Sequence, residues 1–247
     1  MPAWPRPGRR AAVAWIVVGV TVAAVAGFAV ARSRSSATST GDDLDIAVVG
    51  DSFMEQSATQ FVGLAGDQGR SAEVDAFGGL AACDRQEALE RFARSEPDVL
   101  IMSFAGNDLT PCMLRTEVPS SATETAAEYR EDLDRLVGDF MATSPETRVY
   151  LVPPPPVQPP QYEANAAAMR DMYRGFAADH PGIAVIDVTP ALSPDGAFHE
   201  RLPCEPWEEQ TCEPDGTVKL REDDGVHLTP AGGERYARVL ADAVGAN

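Results

Sequence analysis

The feature that most constrains the fold is a short apolar run that ends abruptly in Gly-Asp-Ser. Residues 46–49 are β-branched or small and apolar, and Gly50, Asp51 and Ser52 follow them directly. Such a run predicts a buried strand, and a glycine at its end permits a sharp turn that a residue with a Cβ would resist. Ser52 is therefore expected where the strand ends and a helix begins, at the edge of an open α/β sheet where ligands bind.

Strands alternate with amphipathic helices along the rest of the chain. Four more apolar runs predict strands, at residues 71–76, 98–104, 147–152 and 182–188. This alternation is typical of a parallel sheet with helices on both faces. We predict a flavodoxin-like three-layer α/β/α sandwich with a five-stranded parallel sheet in the order 2-1-3-4-5. In that order Ser52, after the first strand, lies beside Asn107, after the third.

The beginning of the chain has the pattern of a membrane or export segment. Residues 11–31 form an uncharged apolar run, and about 20 such residues span a bilayer as a helix. Arg6, Arg9 and Arg10 precede the run, which favours an orientation with the N-terminus inside. Residues 1–32 are therefore interpreted as an uncleaved signal anchor, favoured by the length of the run, or as a cleaved signal peptide. Both interpretations predict an extracytoplasmic domain, anchored or secreted.

Residues 33–43 are rich in Ser, Thr and Gly and predict a flexible linker, so the folded domain is expected at residues 44–247. The chain has 20 basic and 38 acidic residues, and five of its arginines precede residue 35. The remainder carries 15 basic against 38 acidic residues, a net charge of −23. Such a charge argues against nucleic acid as a partner and limits membrane contact to the N-terminal segment. Small-molecule, glycan or lipid esters remain as substrates, and the oligomeric state stays open.

Export determines how the four cysteines, Cys83, Cys112, Cys204 and Cys212, are interpreted. An even number of cysteines in an oxidising compartment predicts two disulfides. Three connectivities are possible. A Cys204–Cys212 bond would close a short loop, and a Cys83–Cys112 bond would join two loops if both lie at the same edge of the sheet. No C-x₂-C pair supports a metal site.

The residues around one of the three histidines suggest that it acts as a catalytic base. His227 lies just before a predicted helix, and Asp224 lies three residues earlier. A tight turn would bring the Asp224 carboxylate to one imidazole nitrogen and leave the other nitrogen facing the sheet edge. A serine hydroxyl becomes a nucleophile when such an oriented base removes its proton. Ser52, His227 and Asp224 are therefore the candidate catalytic residues.

Acyl transfer also needs hydrogen-bond donors aimed at the developing oxyanion. Three candidates are expected to converge at the sheet edge: the backbone N–H of Ser52, the backbone N–H of Gly79 and the side-chain amide of Asn107. Gly78 remains an alternative to Gly79. The neighbouring Asp51 is expected to hold its turn through bonds from its side chain to the backbone.

Two further segments keep two interpretations each. The acidic stretch at residues 193–224 is either a lid or partner surface, or a solvated excursion held by a disulfide. The proline-rich stretch at residues 153–160 cannot extend a sheet ladder. It is therefore a stiff loop that either walls the site or only connects two elements.

Together these residues resemble the SGNH hydrolases, also called GDSL-type esterases and lipases. Four blocks carry the resemblance, in the order known for that family: Gly50-Asp51-Ser52, Asp75–Gly79, Gly106-Asn107-Asp108 and Asp224–His227. They extend over essentially the whole predicted domain. Phe53 stands where the family often has leucine, and no G-x-S-x-G elbow is present to indicate an α/β-hydrolase fold.

The resemblance implies a serine esterase that needs neither a metal nor a cofactor. In it, Ser52 would form an acyl-enzyme, His227 and Asp224 would activate the serine, and Ser52, Gly79 and Asn107 would hold the oxyanion. An O-acyltransferase that passes the acyl group to a sugar hydroxyl is the alternative. A non-catalytic domain that binds envelope glycans or proteins is less favoured, because a binder has no need of these side chains.

Overall fold

The computed structural model describes residues 35–38, 44–115 and 119–245. The predicted signal anchor or signal peptide lies outside these ranges. Within them, every helix is too short or too polar to cross a bilayer.

A six-stranded sheet lies at the centre of the domain. Its strands are β1 (Ser35–Thr38), β2 (Ile46–Gly50), β3 (Ala72–Ala76), β4 (Val99–Ser103), β5 (Arg148–Leu151) and β6 (Ile183–Val185). Their order in the sheet is β1-β3-β2-β4-β5-β6. The strands from β2 to β6 run parallel, which confirms the predicted order 2-1-3-4-5. Strand β1 pairs antiparallel with β3. It lies in the segment predicted to be a linker, so the sheet has one strand more than predicted.

Helices cover both faces of the sheet. They are α1 (Ser52–Asp67), α2 (Gln86–Arg94), α3 (Ala122–Thr143), α4 (Pro160–Asp179), α5 (Thr189–Leu192) and α6 (Pro230–Gly245). Helices α1 and α6 pack on the face that contains Ile46 and Val48, and α2, α3 and α4 pack mainly on the face that contains Ala47 and Val49. Since β2 is buried on both faces, its sequence is continuously apolar rather than alternating. The predicted three-layer architecture is confirmed.

The acidic stretch before α6 is more ordered than the irregular loop predicted from its sequence. Strands β7 (Arg201–Pro203) and β8 (Thr217–Lys219) pair as an antiparallel ribbon. A disulfide joins Cys204 to Cys212 between them. Glu208 and Arg235 form a buried, two-pronged ion pair at 2.6 and 2.8 Å that ties this segment to α6. These contacts favour the second interpretation of residues 193–224, a surface segment that is held in place by a disulfide.

Short 3₁₀ turns lie at Ala82–Arg85, Met113–Arg115 and Pro206–Glu208. Helix α6 packs very close to α1 through Gly233 and to the residue after β8 through Gly232. A Cβ on Gly233 would lie 2.8 Å from the carbonyl oxygen of Gln56, and a Cβ on Gly232 would lie 2.1 Å from that of Leu220. Both distances are too short for a side chain, so this packing requires glycine at both positions. The segment that leads into α6 is thereby held beside the start of α1.

We expect Gly233→Ala to lower the free energy of unfolding by about 1–3 kcal/mol, because the added methyl group overpacks the contact between α1 and α6. The control is Gly63→Ala, at an exposed position of α1 where a Cβ would meet nothing within 4 Å. It should raise stability by up to roughly 1 kcal/mol. Urea unfolding measures both, and equal effects would contradict the close contact.

Candidate active site

Ser52 is the first residue of α1 and lies directly beyond the end of β2, as predicted. The turn is tight. A Cβ on Gly50 would lie 2.5 Å from the Cβ of Met54 and 2.9 Å from the carbonyl oxygen of Ser103. Asp51 is the N-cap, and its Oδ1 accepts a hydrogen bond from the backbone N–H of Phe53 at 3.2 Å. The backbone N–H of Ser52, in the first turn, has no acceptor within the helix, so it is open to a negatively charged oxygen.

The Asp51 side chain connects this turn to the loop that follows β4. It is completely buried, and its Oδ2 accepts from the backbone N–H of Ala105 at 2.7 Å and from Nδ2 of Asn107 at 3.2 Å. Burial raises the pKa of the Asp51 carboxyl to about 7, although hydrogen bonds from Ala105 and Phe53 and the charge of His227 lower it. The turn-holding role expected for Asp51 therefore extends to a second loop.

Three buried tyrosines, on three different helices, hold the end of β4 and the loop that follows it. The hydroxyl groups of Tyr129 on α3 and Tyr173 on α4 donate to the carbonyl oxygens of Asn107 and Phe104, at 3.0 and 3.1 Å. Tyr236 on α6 shares a hydrogen bond of 2.6 Å with Oγ of the last residue of β4. Burial raises the pKa of all three, so they remain neutral. In the sequence, these tyrosines are recognisable only as residues on the apolar faces of helices, and no local pattern indicates their hydrogen bonds.

Both amide hydrogens of Asn107 have acceptors inside the protein. Nδ2 donates to Asp51 and also to the carbonyl oxygen of Leu80, at 3.0 Å. To hold an oxyanion, Asn107 must therefore share one of these amide hydrogens with the substrate oxygen, or the substrate oxygen must replace Asp51 or Leu80 as its acceptor. The adjacent Asp108 accepts from Thr125 and Asn165, at 3.4 and 3.2 Å. These contacts hold its turn.

The glycine block lies close to the serine. A Cβ on Gly78 would lie 3.5 Å from the Cβ of Ser52. The backbone N–H of Gly78 donates to the carboxylate of Glu55 at 2.7 Å. The N–H of Gly79, whose φ is +77°, has no acceptor in the described part of the chain. Of the two glycines left open by the sequence, Gly79 is thus the one with an unengaged donor. Glu55 was not identified from sequence, because nothing near it indicates its distant partner.

A disulfide joins the two loops that carry these candidate donors. Cys83, after β3, is bonded to Cys112, after β4, with their Cα atoms 5.9 Å apart. The backbone N–H of Cys112 also donates to Asp84, at 3.2 Å. The two loops lie at the same edge of the sheet, which was the condition stated for this pairing. Both disulfides therefore have the connectivity considered from the sequence.

His227 and Asp224 form the predicted pair within a tight turn. The His227 Nδ1 lies 2.5 Å from Oδ2 of Asp224, and Oδ1 accepts from the backbone N–H groups of Val226 and His227, at 2.8 and 2.9 Å. Burial raises the pKa of Asp224, but these hydrogen bonds outweigh it and leave the pKa below the ordinary value. Nε2 of His227 has no hydrogen-bond partner among the residues that the structure describes.

The turn is attached to the serine end of α1 and to the proline-rich loop. The backbone N–H of Leu228 donates to Oε1 of Gln56, four residues after Ser52, at 2.8 Å. On the other side, the N–H of Gln158 donates to the carbonyl oxygen of Gly225 at 2.8 Å. The proline-rich stretch therefore contacts the turn in addition to connecting β5 with α4. Ser52 and His227 lie at one edge of the sheet.

Comparison with known proteins assigns the chain to a family. Residues 45–243 match the family described as "Protein of unknown function (DUF459)". The chain belongs to this family. No curated protein matches the chain.

Solved structures share the fold of this DUF459 domain. An acetyl xylan esterase, AlAXEase, has a TM-score of 0.56 at 17% identity, over 81% of this chain and 100% of that one. A lipase/acylhydrolase from Enterococcus faecalis has 0.55 at 16%, over 82% and 96%. The periplasmic domain of a lipopolysaccharide acetyltransferase from Salmonella ser. Paratyphi A has 0.55 at 14%, over 83% and 85%. The fold is that of the SGNH/GDSL-type carboxylic ester hydrolases, as the resemblance implied.

The buried Asp51 gives the DUF459 domain a specific dependence on pH. Because its pKa in the folded state lies above the unfolded value of 3.8, its ionisation weakens the folded state as the pH rises from about 4 to 7. The side chain of Asp51→Asn does not ionise, so the variant should gain stability relative to the wild type over that range. Urea unfolding of both proteins across the range measures this, and a constant difference would contradict it.

Proposed function

We propose that this domain is a serine esterase that cleaves an acyl ester through a covalent acyl-enzyme on Ser52. The observation that supports this most is the Asp224–His227 pair, which is fastened to α1 near Ser52 and leaves Nε2 of His227 unengaged. A base that is oriented by a carboxylate and unoccupied on its other nitrogen is what a serine nucleophile requires. The SGNH fold supports the same chemistry.

In the first step, Nε2 of His227 removes the proton from Oγ of Ser52 as Oγ attacks the ester carbonyl. A new carbon–oxygen bond forms, and the carbonyl electron pair moves onto its oxygen. Asp224, ionised because of its lowered pKa, stabilises the imidazolium. The imidazolium then protonates the departing alcohol as the carbon–oxygen bond to it breaks. In the second step, His227 removes a proton from water as the water oxygen attacks the acyl carbon. The bond from that carbon to Oγ of Ser52 then breaks, the imidazolium returns the proton to Oγ, and the acid is released.

Three donors would stabilise the oxyanion. The backbone N–H groups of Ser52 and Gly79 are available without rearrangement, whereas Asn107 must share the hydrogen that it gives to Leu80 or Asp51. Such donors act strongly because they are held in place before the reaction.

The substrate we propose is a neutral ester, such as an acylated envelope glycan or a lipid ester. The strongly acidic domain would repel anionic molecules. We also propose that the domain is extracytoplasmic. Two disulfides support an oxidising compartment, and the N-terminal apolar run supports export. It does so either as an anchor or as a cleaved signal.

An O-acyltransferase is the second candidate function, and the acetyltransferase domain with the same fold supports it. It would use the same acyl-enzyme and differ only in letting a sugar hydroxyl, instead of water, reach the intermediate. A burst of product without steady hydrolysis, relieved by an added sugar acceptor, would identify transfer.

The decisive experiment assays the full-length chain on p-nitrophenyl esters from acetyl to palmitoyl. Ser52→Ala should lower turnover by roughly 10⁴-fold or more, because the nucleophile is lost. The control is Ser57→Ala, which removes a hydroxyl from the same helix and should leave turnover nearly unchanged. If folded wild-type protein has no activity and a fluorophosphonate fails to label Ser52, the esterase and transferase proposals are both wrong, and a binding domain remains.

Asn107→Ala tests the oxyanion assignment. Loss of one donor should lower turnover by about 10²–10³-fold with little change in KM. Asn165→Ala is the matched control, since Asn165 holds the same loop through Gly106 and Asp108 and has no proposed role in the reaction. Near-normal turnover of Asn107→Ala, or an equal loss in both variants, would remove Asn107 from the oxyanion hole.

A further inference from the structure

Arg221 is a completely buried cation that no acidic residue of the described chain pairs with. Its side chain has no exposed surface, and it forms no ion pair within the described residues. The other buried arginine, Arg235, is paired with Glu208. Burying a charge is costly unless its hydrogen bonds are satisfied, so the contacts that Arg221 does make require an explanation.

The guanidinium of Arg221 bridges two loops through their backbone. Nη1 donates to the carbonyl oxygen of Val226 at 2.9 Å, and Nη2 donates to that of Pro156 at 3.1 Å. Val226 lies between Asp224 and His227 in the catalytic turn, and Pro156 lies in the proline-rich loop after β5. The bond to Val226 is local in the chain, whereas the bond to Pro156 joins segments 65 residues apart. The Nε of Arg221 has no partner in the described structure.

Aromatic rings position the guanidinium between these loops. It lies 5.7 Å from the ring centroid of Phe53, the residue that follows Ser52, and 5.9 Å from that of Phe198. A planar guanidinium can bind two carbonyl groups in a fixed geometry, which the single ammonium of lysine cannot. An apolar side chain could fill the same space at no cost in burying charge, but it would leave both carbonyls without a donor.

We propose that Arg221 is a positioning residue of the active site, which sets the direction of the His227 imidazole by tying the Asp224–His227 turn to the loop after β5. The role rests on the proposed function. The turn is also held by Gln56, through Leu228, and by Gln158, through Gly225. Arg221 holds Val226, the residue directly before His227, through its carbonyl oxygen.

Arg221→Met and Arg221→Lys test this in the full-length chain. Loss of both hydrogen bonds in Arg221→Met should lower kcat on p-nitrophenyl acetate by about 10- to 100-fold, as expected for a misplaced catalytic group. KM should change less than roughly twofold. The low-field proton resonance of the His227–Asp224 hydrogen bond should weaken or disappear. Arg221→Lys keeps the charge without the planar fork, so it should recover only part of kcat. If Arg221→Met does not fold, the kcat and the resonance of Arg221→Lys test the positioning role instead.

Arg235→Met is the matched control for the loss of a buried arginine. It should lower the melting temperature but leave kcat and the resonance unchanged, because its partners lie in the β7–β8 segment and near α5. An Arg221 variant that is less stable yet keeps full kcat and the resonance would overturn the inference. If the resonance is lost in Arg221→Met while the wild type shows no Ser52-dependent activity, the proposed function fails and the positioning role stands.

Discussion

The proposed active site depends on one buried carboxylate. Asp51 accepts hydrogen bonds from the first turn of α1, from the backbone after β4 and from the side chain of Asn107. The segments that carry the serine and the asparagine therefore meet at a single acceptor. Three donors offset part of the cost of burying this group, but desolvation remains the larger effect on its pKa. The distance between Ser52 and the Asn107 loop is thus set by the Asp51 carboxyl, whose burial costs the folded state free energy.

Asp51 and Arg221 show the same principle with opposite charges. Neither forms an ion pair with another described residue, and each is bound by polar groups of loops at the edge of the sheet. The buried Glu208–Arg235 pair, by contrast, is an ion pair that fastens the β7–β8 segment to α6. Loops cannot be held by a continuous apolar core or by a sheet ladder. Buried polar side chains that satisfy loop backbone groups take over that task here.

The loop after β4 is held by hydrogen bonds from two helices and by a disulfide. Tyrosines of α3 and α4 bond the loop itself, a tyrosine of α6 on the other face bonds the last residue of β4, and the Cys83–Cys112 disulfide joins the loop to the glycine loop after β3. Such support matters because donors stabilise an oxyanion best when they need no reorganisation during the reaction. The two loops that would hold the oxyanion are therefore fixed to each other as well as to the core.

Sequence alone determined the features that local patterns encode. Continuous apolar runs predicted the central strands, the alternation of elements predicted the parallel order, and residues three apart predicted the Asp224–His227 turn. Tertiary structure decided what depends on partners far apart in the chain. It separated Gly79 from Gly78 through Glu55, engaged both hydrogens of Asn107, and added the antiparallel β1. Tyr236 meets Ser103, and Arg221 meets Pro156, across 133 and 65 residues. Periodicity reports which face of a helix or strand is buried, but only the packing of those faces brings a given donor to a given acceptor.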